Sequence, residues 1–254
     1  MFSKLATKVA LHRAGLGNVS IPSFPGETKN KSGTDKDGGD GGFTNPFANV
    51  QWGVPKALST WQSAPPVKEV EQPPAVGARA PVNAPKLRSL LLDGRPVVIL
   101  FLRFIGCPFS EKIFLSMRTL ANRNTQIHFI AVSHCTKEAT DKWIKDLGGA
   151  WVVDVVVDQE RELYAQWGLG VSNWGHLLHP RNGYNQYLLG KKEGVWGSQI
   201  GEGGSRWQVG GVYAVDGRGI VQWGGPMKSV DEKVELEEGI QALGFGAAPA
   251  RGLR

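Results

Sequence analysis

Six consecutive apolar residues, Val97 to Leu102 (VVILFL), lead into Gly106-Cys107-Pro108, and an amphipathic stretch follows at once. A strand whose side chains are apolar on both sides must be covered on both faces. That places it at the centre of a largely parallel sheet packed between helices. Ile113, Phe114, Met117, Leu120 and Ala121 then recur at helical spacing, so Ser110 to Arg123 reads as the helix that returns over that sheet. The pattern repeats. Ile127–Val132 is a second strand, Thr136 to Leu147 a second helix, and Val152–Val157 a third strand. A short helix follows, from Asp158 as N-cap to Trp167. Val209–Val215 and Ile220–Trp223 flank Asp216-Gly217, a hairpin signal. A capping box at Ser229 and Glu232 opens a last helix that runs to Leu243. Alternation followed by a hairpin predicts an α/β domain: a central mixed sheet flanked by helices, with antiparallel strands at one edge.

Before Val76 the sequence changes character. Ten of the 15 prolines fall in the first 85 residues, and Gly26 to Gly42 contains no apolar side chain. Such a stretch cannot bury enough surface to offset its ordering entropy. Residues 1–75 are therefore expected to be a mostly disordered N-terminal leader, 76–244 the domain, and 245–254 a tail. Residues 1–26 carry Lys4, Lys8 and Arg13 and no acidic residue, with Phe2, Leu5, Val9 and Leu16 on one side of a helical wheel. This is the profile of a mitochondrial targeting segment, and equally that of a basic helix on a cytoplasmic protein.

Two cysteines exclude a disulfide-stapled scaffold and a four-thiolate metal site. No apolar run is long enough to span a membrane. A net charge of +6, spread without a basic block, does not argue for nucleic acid as a partner. No cofactor or metal is expected either. Most of the nine tryptophans sit at periodic, core-facing positions and need no cofactor to explain them, and His176-x-x-His179 lacks a third ligand of clear spacing.

Cys107 falls where the first strand ends and its helix begins. Unpaired first-turn amides and the helix dipole stabilise a thiolate there. Pro108 suits the first helical turn, where its missing N–H costs nothing. The alternative is a buried structural thiol, common for free cysteine. Arg103, four residues upstream, points either to the thiol or to the far side of the sheet. Cys135 ends the second strand, on the same side of a parallel pair as Cys107. It is either a resolving thiol that forms a disulfide with Cys107 or a loop thiol. The segment 169–207 shows no clear element and is rich in aromatic residues, so it is expected to be an ordered insertion covering the sheet edge or the site.

These residues resemble a family. The strand, the GCPFS turn and its helix are similar to the active-site segment of the thioredoxin-like superfamily. The wider chain resembles the AhpC/TSA antioxidant proteins, of the peroxiredoxin-like 2 type. Val76-Gly77-Ala78-Arg79-Ala80-Pro81 matches their opening G-x-x-A-P, and Ile130-Ala131-Val132-Ser133 their V-S strand. Val157-Asp158 with ELYAQWGLG, and Gln208-Val209-Gly210-Gly211, match later motifs. The resemblance implies a thioredoxin-like fold and a peroxiredoxin-like antioxidant oxidoreductase. In it the Cys107 nucleophile attacks a hydroperoxide or disulfide substrate, and a thiol reductant, glutathione or thioredoxin-type, restores it. Ser110, Arg103 and Arg206 are the candidate stabilisers of thiolate or peroxide. The chain departs from the family at two positions: Phe104 stands where a threonine or serine is usual, and Gly210 where an arginine is. Ser110 rules out a dithiol within the turn, a layout similar to monothiol glutaredoxins. A glutathione-dependent transferase and a non-catalytic partner-binding protein remain the alternatives.

Overall fold

The computed structural model describes residues 69–81, 87, 93–172, 180–197 and 200–245. The segment 1–26, residues 246–254, Trp174 and the His176/His179 pair lie outside them. The described elements are β1 (Val97–Phe101), α1 (Pro108–Arg123), β2 (His128–Ser133), α2 (Lys137–Asp146), β3 (Asp154–Val157) and α3 (Glu162–Gln166). After them come α4 (Pro180–Glu193), β4 (Gly211–Val215), β5 (Val221–Pro226) and α5 (Leu236–Ala242).

One five-stranded sheet organises them, in the order β3-β2-β1-β4-β5. β1 pairs parallel with β2 (Val97 with His128) and antiparallel with β4 (Phe101 with Gly211). It is therefore the central strand, and all five of its residues are buried. Val98 and Leu100 face Phe114, Met117, Trp143 and Ile240. Val97, Ile99 and Phe101 face Leu163, Tyr164, Trp167 and Tyr213. The continuous apolar run is the sequence record of these two cores. This mixed sheet with flanking helices is the expected thioredoxin-like architecture.

Four elements depart from expectation. Residues 169–207 do contain an element, the helix α4. Pro180 opens it, but Gly183 and Gly190 interrupt its interior and few of its residues are apolar, so no periodicity announces it. Of its described aromatic residues, Tyr184, Tyr187 and Trp196 are exposed and Trp207 is buried. The last helix begins at Leu236, not Ser229. The Glu232 carboxylate does accept the Lys228 and Ser229 amides, but this closes a turn only, and the chain then runs on without helix so that Val234 packs against the core. β5 continues through Gly224 and Gly225 to Pro226. At Gly224 a Cβ would stand 2.0 Å from the Val212 carbonyl oxygen, so this glycine permits close strand approach rather than ending the strand. Asp158 precedes rather than begins α3, yet its Oδ2 still accepts the Leu163 amide at 2.8 Å.

Candidate active site

The site is the bend by which the chain leaves β1. Gly106 takes φ +91°, and Cys107 is the N-cap of α1 with Pro108 in the first turn. The Cys107 sulfur makes no capping hydrogen bond. Its partner is Arg103, whose Nη1 lies 3.6 Å from Cys107 Sγ. The orientation left open by sequence is thus toward the thiol.

Arg103 is held at both ends. Its N–H donates to Ser110 Oγ at 3.3 Å, and Nη2 donates to the Arg206 carbonyl oxygen at 2.9 Å. It is 4% exposed, and no carboxylate among the described residues lies within ion-pair distance of it. A buried guanidinium without a carboxylate is costly unless another anion balances it. The Cys107 sulfur is the group this site places beside it.

Arg206 adds a second cation. Burial pulls its pKa down, the Cys107 charge opposes that, and the like charge of Arg103 reinforces it. The guanidinium carbons of Arg103 and Arg206 lie over the Phe104 ring, at 5.2 and 5.3 Å from its centroid. Phe104, a departure from the family pattern, therefore supplies a π-face to both cations. Sequence reasoning missed this role.

Cys107 is 1% exposed. The connection from α4 to β4 lies against its turn. At Gly197 a Cβ would stand 2.6 Å from the Gly106 carbonyl oxygen and 2.8 Å from Pro108 Cδ. At Gly201 one would stand 2.2 Å from Ile105 Cδ1. His134 fastens the same connection: its Nε2 accepts the Ser205 amide at 2.9 Å. Burial first, then the charge of Arg161, lowers the His134 pKa to about 3, so the ring is the neutral acceptor this bond requires. The spacing of Gly197, Gly201, Gly203 and Gly204 was the available sequence signal for close contact.

Cys135 sits beneath the bend. Its thiol is fully buried, and burial pushes its pKa up to about 11, against the Ile105 amide and the Ser133 hydroxyl, which favour the thiolate. Both cysteines are free thiols. Among the described residues no group of three or more His, Cys, Asp or Glu could hold a metal ion, and no helix is long and apolar enough to cross a membrane.

With this geometry in view, a known family enters. Residues 115–229 match the family model of the AhpC/TSA antioxidant enzyme. Over that stretch the chain is similar to that family, in line with the resemblance its motifs carry. The AhpC/TSA match runs from within α1 to beyond β5 and begins after Cys107. Similar solved structures include a thiol peroxidase from Chromobacterium violaceum (11% identity, TM-score 0.47, covering 70% of this chain and 91% of that one). A peroxiredoxin-like protein from Aquifex aeolicus shows 16% identity, a TM-score of 0.46 and the same coverages. A mutant of peroxiredoxin 6 of Arenicola marina shows 12% identity and a TM-score of 0.47, covering 67% and 72%. No curated protein matches the sequence significantly. What the bend does chemically is decided by this chain's own side chains.

Proposed function

We propose that the protein reduces hydroperoxides through Cys107. The observation that carries this is the Arg103 guanidinium 3.6 Å from Cys107 Sγ, in a buried setting with no competing carboxylate among the described residues. The thiolate attacks one peroxide oxygen, forming an S–O bond as the O–O bond breaks. Sulfur loses two electrons and becomes a sulfenic acid; the other oxygen takes a proton from solvent and leaves as water or an alcohol. Arg103 and Arg206 offset the negative charge through the reaction, and Ser110 acts one step removed by anchoring the Arg103 backbone. A small external thiol such as glutathione then condenses with the sulfenic acid, releasing water. A second thiol frees Cys107 as the external disulfide forms. Cys135 serves as a slower resolving thiol, because a group with a pKa near 11 is protonated at neutral pH.

Stoichiometric hydrogen peroxide or an organic hydroperoxide, followed by intact mass and peptide mapping, tests this. One added oxygen on Cys107, absent from Cys107→Ser, supports it; an unmodified Cys107 overturns it. The near-complete burial of Cys107 favours a second reading, a partner-binding protein without turnover. In that case neither peroxide nor glutathione disulfide modifies the native protein.

A further inference from the structure

We propose that Gly210 is a positioning residue for Arg103: its missing side chain is the space through which the Arg103 stem reaches Cys107. The inference rests on the reading that Arg103 stabilises the Cys107 thiolate.

Gly210 directly precedes β4, beside the bend that follows β1. Its carbonyl accepts the Met227 amide at 2.9 Å, which fixes its place on the sheet. Its φ lies outside the left-handed region, so backbone conformation alone does not call for glycine. Space does. A Cβ at 210 would stand 2.9 Å from the Phe101 carbonyl oxygen and 3.1 Å from both Arg103 Cγ and Met227 Sδ.

These three neighbours differ in what they can yield. Met227 Sδ belongs to a flexible side chain and turns aside readily. Arg103 does not, because its backbone is tied to Ser110 and its Nη2 to the Arg206 carbonyl. A push of a few tenths of an ångström at Cγ on a side chain pinned at both ends strains those bonds, and the shift carries Nη1 away from Cys107. Glycine at 210 is therefore the counterpart of an arginine at 103. The cation reaches the thiol from the end of β1 instead of from the position before β4, and the two sites accommodate one arginine between them.

The Phe101 carbonyl offers a competing explanation, in which glycine serves only the close passage of two strands. Four chains separate the two: wild type, Arg103→Ala, Gly210→Ala and the double variant. Each is alkylated with iodoacetamide across a pH series, and the Cys107 peptide is quantified by mass. The position of the profile on the pH axis, rather than its plateau rate, is read, so a change in access alone does not count.

Loss of a hydrogen bond to a charged group should move the Arg103→Ala profile up by about one pH unit. Gly210→Ala should move it comparably in the wild-type background and not at all when combined with Arg103→Ala, because a residue acting through Arg103 has no effect once Arg103 is gone. An unshifted Gly210→Ala, or equal shifts in both backgrounds, overturns the positioning role and leaves the Arg103 reading standing. An unshifted Arg103→Ala overturns that reading and the inference with it. If Gly210→Ala does not fold, thermal unfolding of the double variant decides. A recovered cooperative transition supports the proposal, and continued failure assigns the glycine to the Phe101 carbonyl.

Discussion

The indole of Trp196 rests against the backbone of Gly190: a Cβ there would stand 2.3 Å from ring atom Cε3. Trp196 is one residue from Gly197, which touches the Cys107 turn, so this contact anchors the cover of the candidate nucleophile to α4. Gly190→Ala sets two effects in opposition. Helix propensity alone favours alanine by about 1 kcal/mol. Unseating the indole releases the cover. The added methyl would fall well inside van der Waals distance of the ring, so the second effect should win at the site. Native-state alkylation of Cys107 should rise roughly fivefold, as expected when about 1 kcal/mol of closure is lost. Unchanged or slower alkylation would show that the indole does not hold the cover.

Tyr164 joins the ends of the two central parallel strands. Its hydroxyl lies 2.7 Å from the Leu102 carbonyl oxygen and 2.8 Å from that of Val132, one hydrogen facing two acceptors. Tyr164→Phe keeps the ring packed edge-on against Phe101 and removes only this bridge. The variant should lose about 1–3 kcal/mol, the cost of leaving the buried Leu102 carbonyl without its donor, since the Val132 oxygen keeps the Leu102 amide at 3.0 Å. Urea unfolding with an unchanged m-value and a lowered midpoint checks it.

How much of this was legible in the sequence follows from how each feature is encoded. β1 and α1 are written in apolar order, because both faces of one and one stripe of the other are buried. The bend at Cys107 is written in residue type, since Gly106 needs its positive φ and Pro108 fits the first turn. α4 left no such record: Gly190 in its interior serves tertiary contact, and most of its described side chains face solvent. The direction of Arg103 was unreadable for another reason. Strand alternation ends at Phe101, and which way the next side chains point depends on Ser110 and Arg206, one of them 103 residues away.

His134 makes stability pH-dependent. Its pKa falls from 6.5 to about 3 on folding, so below 6.5 the unfolded chain binds a proton that the folded chain refuses. The stability this buried neutral ring provides is fully present above that value and is lost as pH falls from 6.5 toward 3. At pH 5 the loss amounts to about 2 kcal/mol, at 1.36 kcal/mol per unit. His134→Gln retains an acceptor for the Ser205 amide and cannot titrate. Urea midpoints at pH 7 and pH 5 should therefore converge in the variant and separate in the wild type. Equal separation in both would assign the acid sensitivity to other groups.

The two thiols should respond oppositely to the same reagent. Cys107 has a guanidinium beside its sulfur, whereas Cys135 has a pKa near 11 and lies in the core under the Ile105 amide. Since the thiolate is the reacting form, Cys135 at pH 7 carries about one part in ten thousand of it. In the native protein, iodoacetamide should label Cys107 and leave Cys135 intact until denaturant is added. Cys107→Ser should then abolish native labelling altogether. Raising the pH to 9 should not restore it quickly, because burial limits access as well as charge. Peptide mapping after timed quenching distinguishes the sites. Native labelling of Cys135 at a rate comparable to Cys107 would place the reactive thiol at the end of β2 rather than at the start of α1.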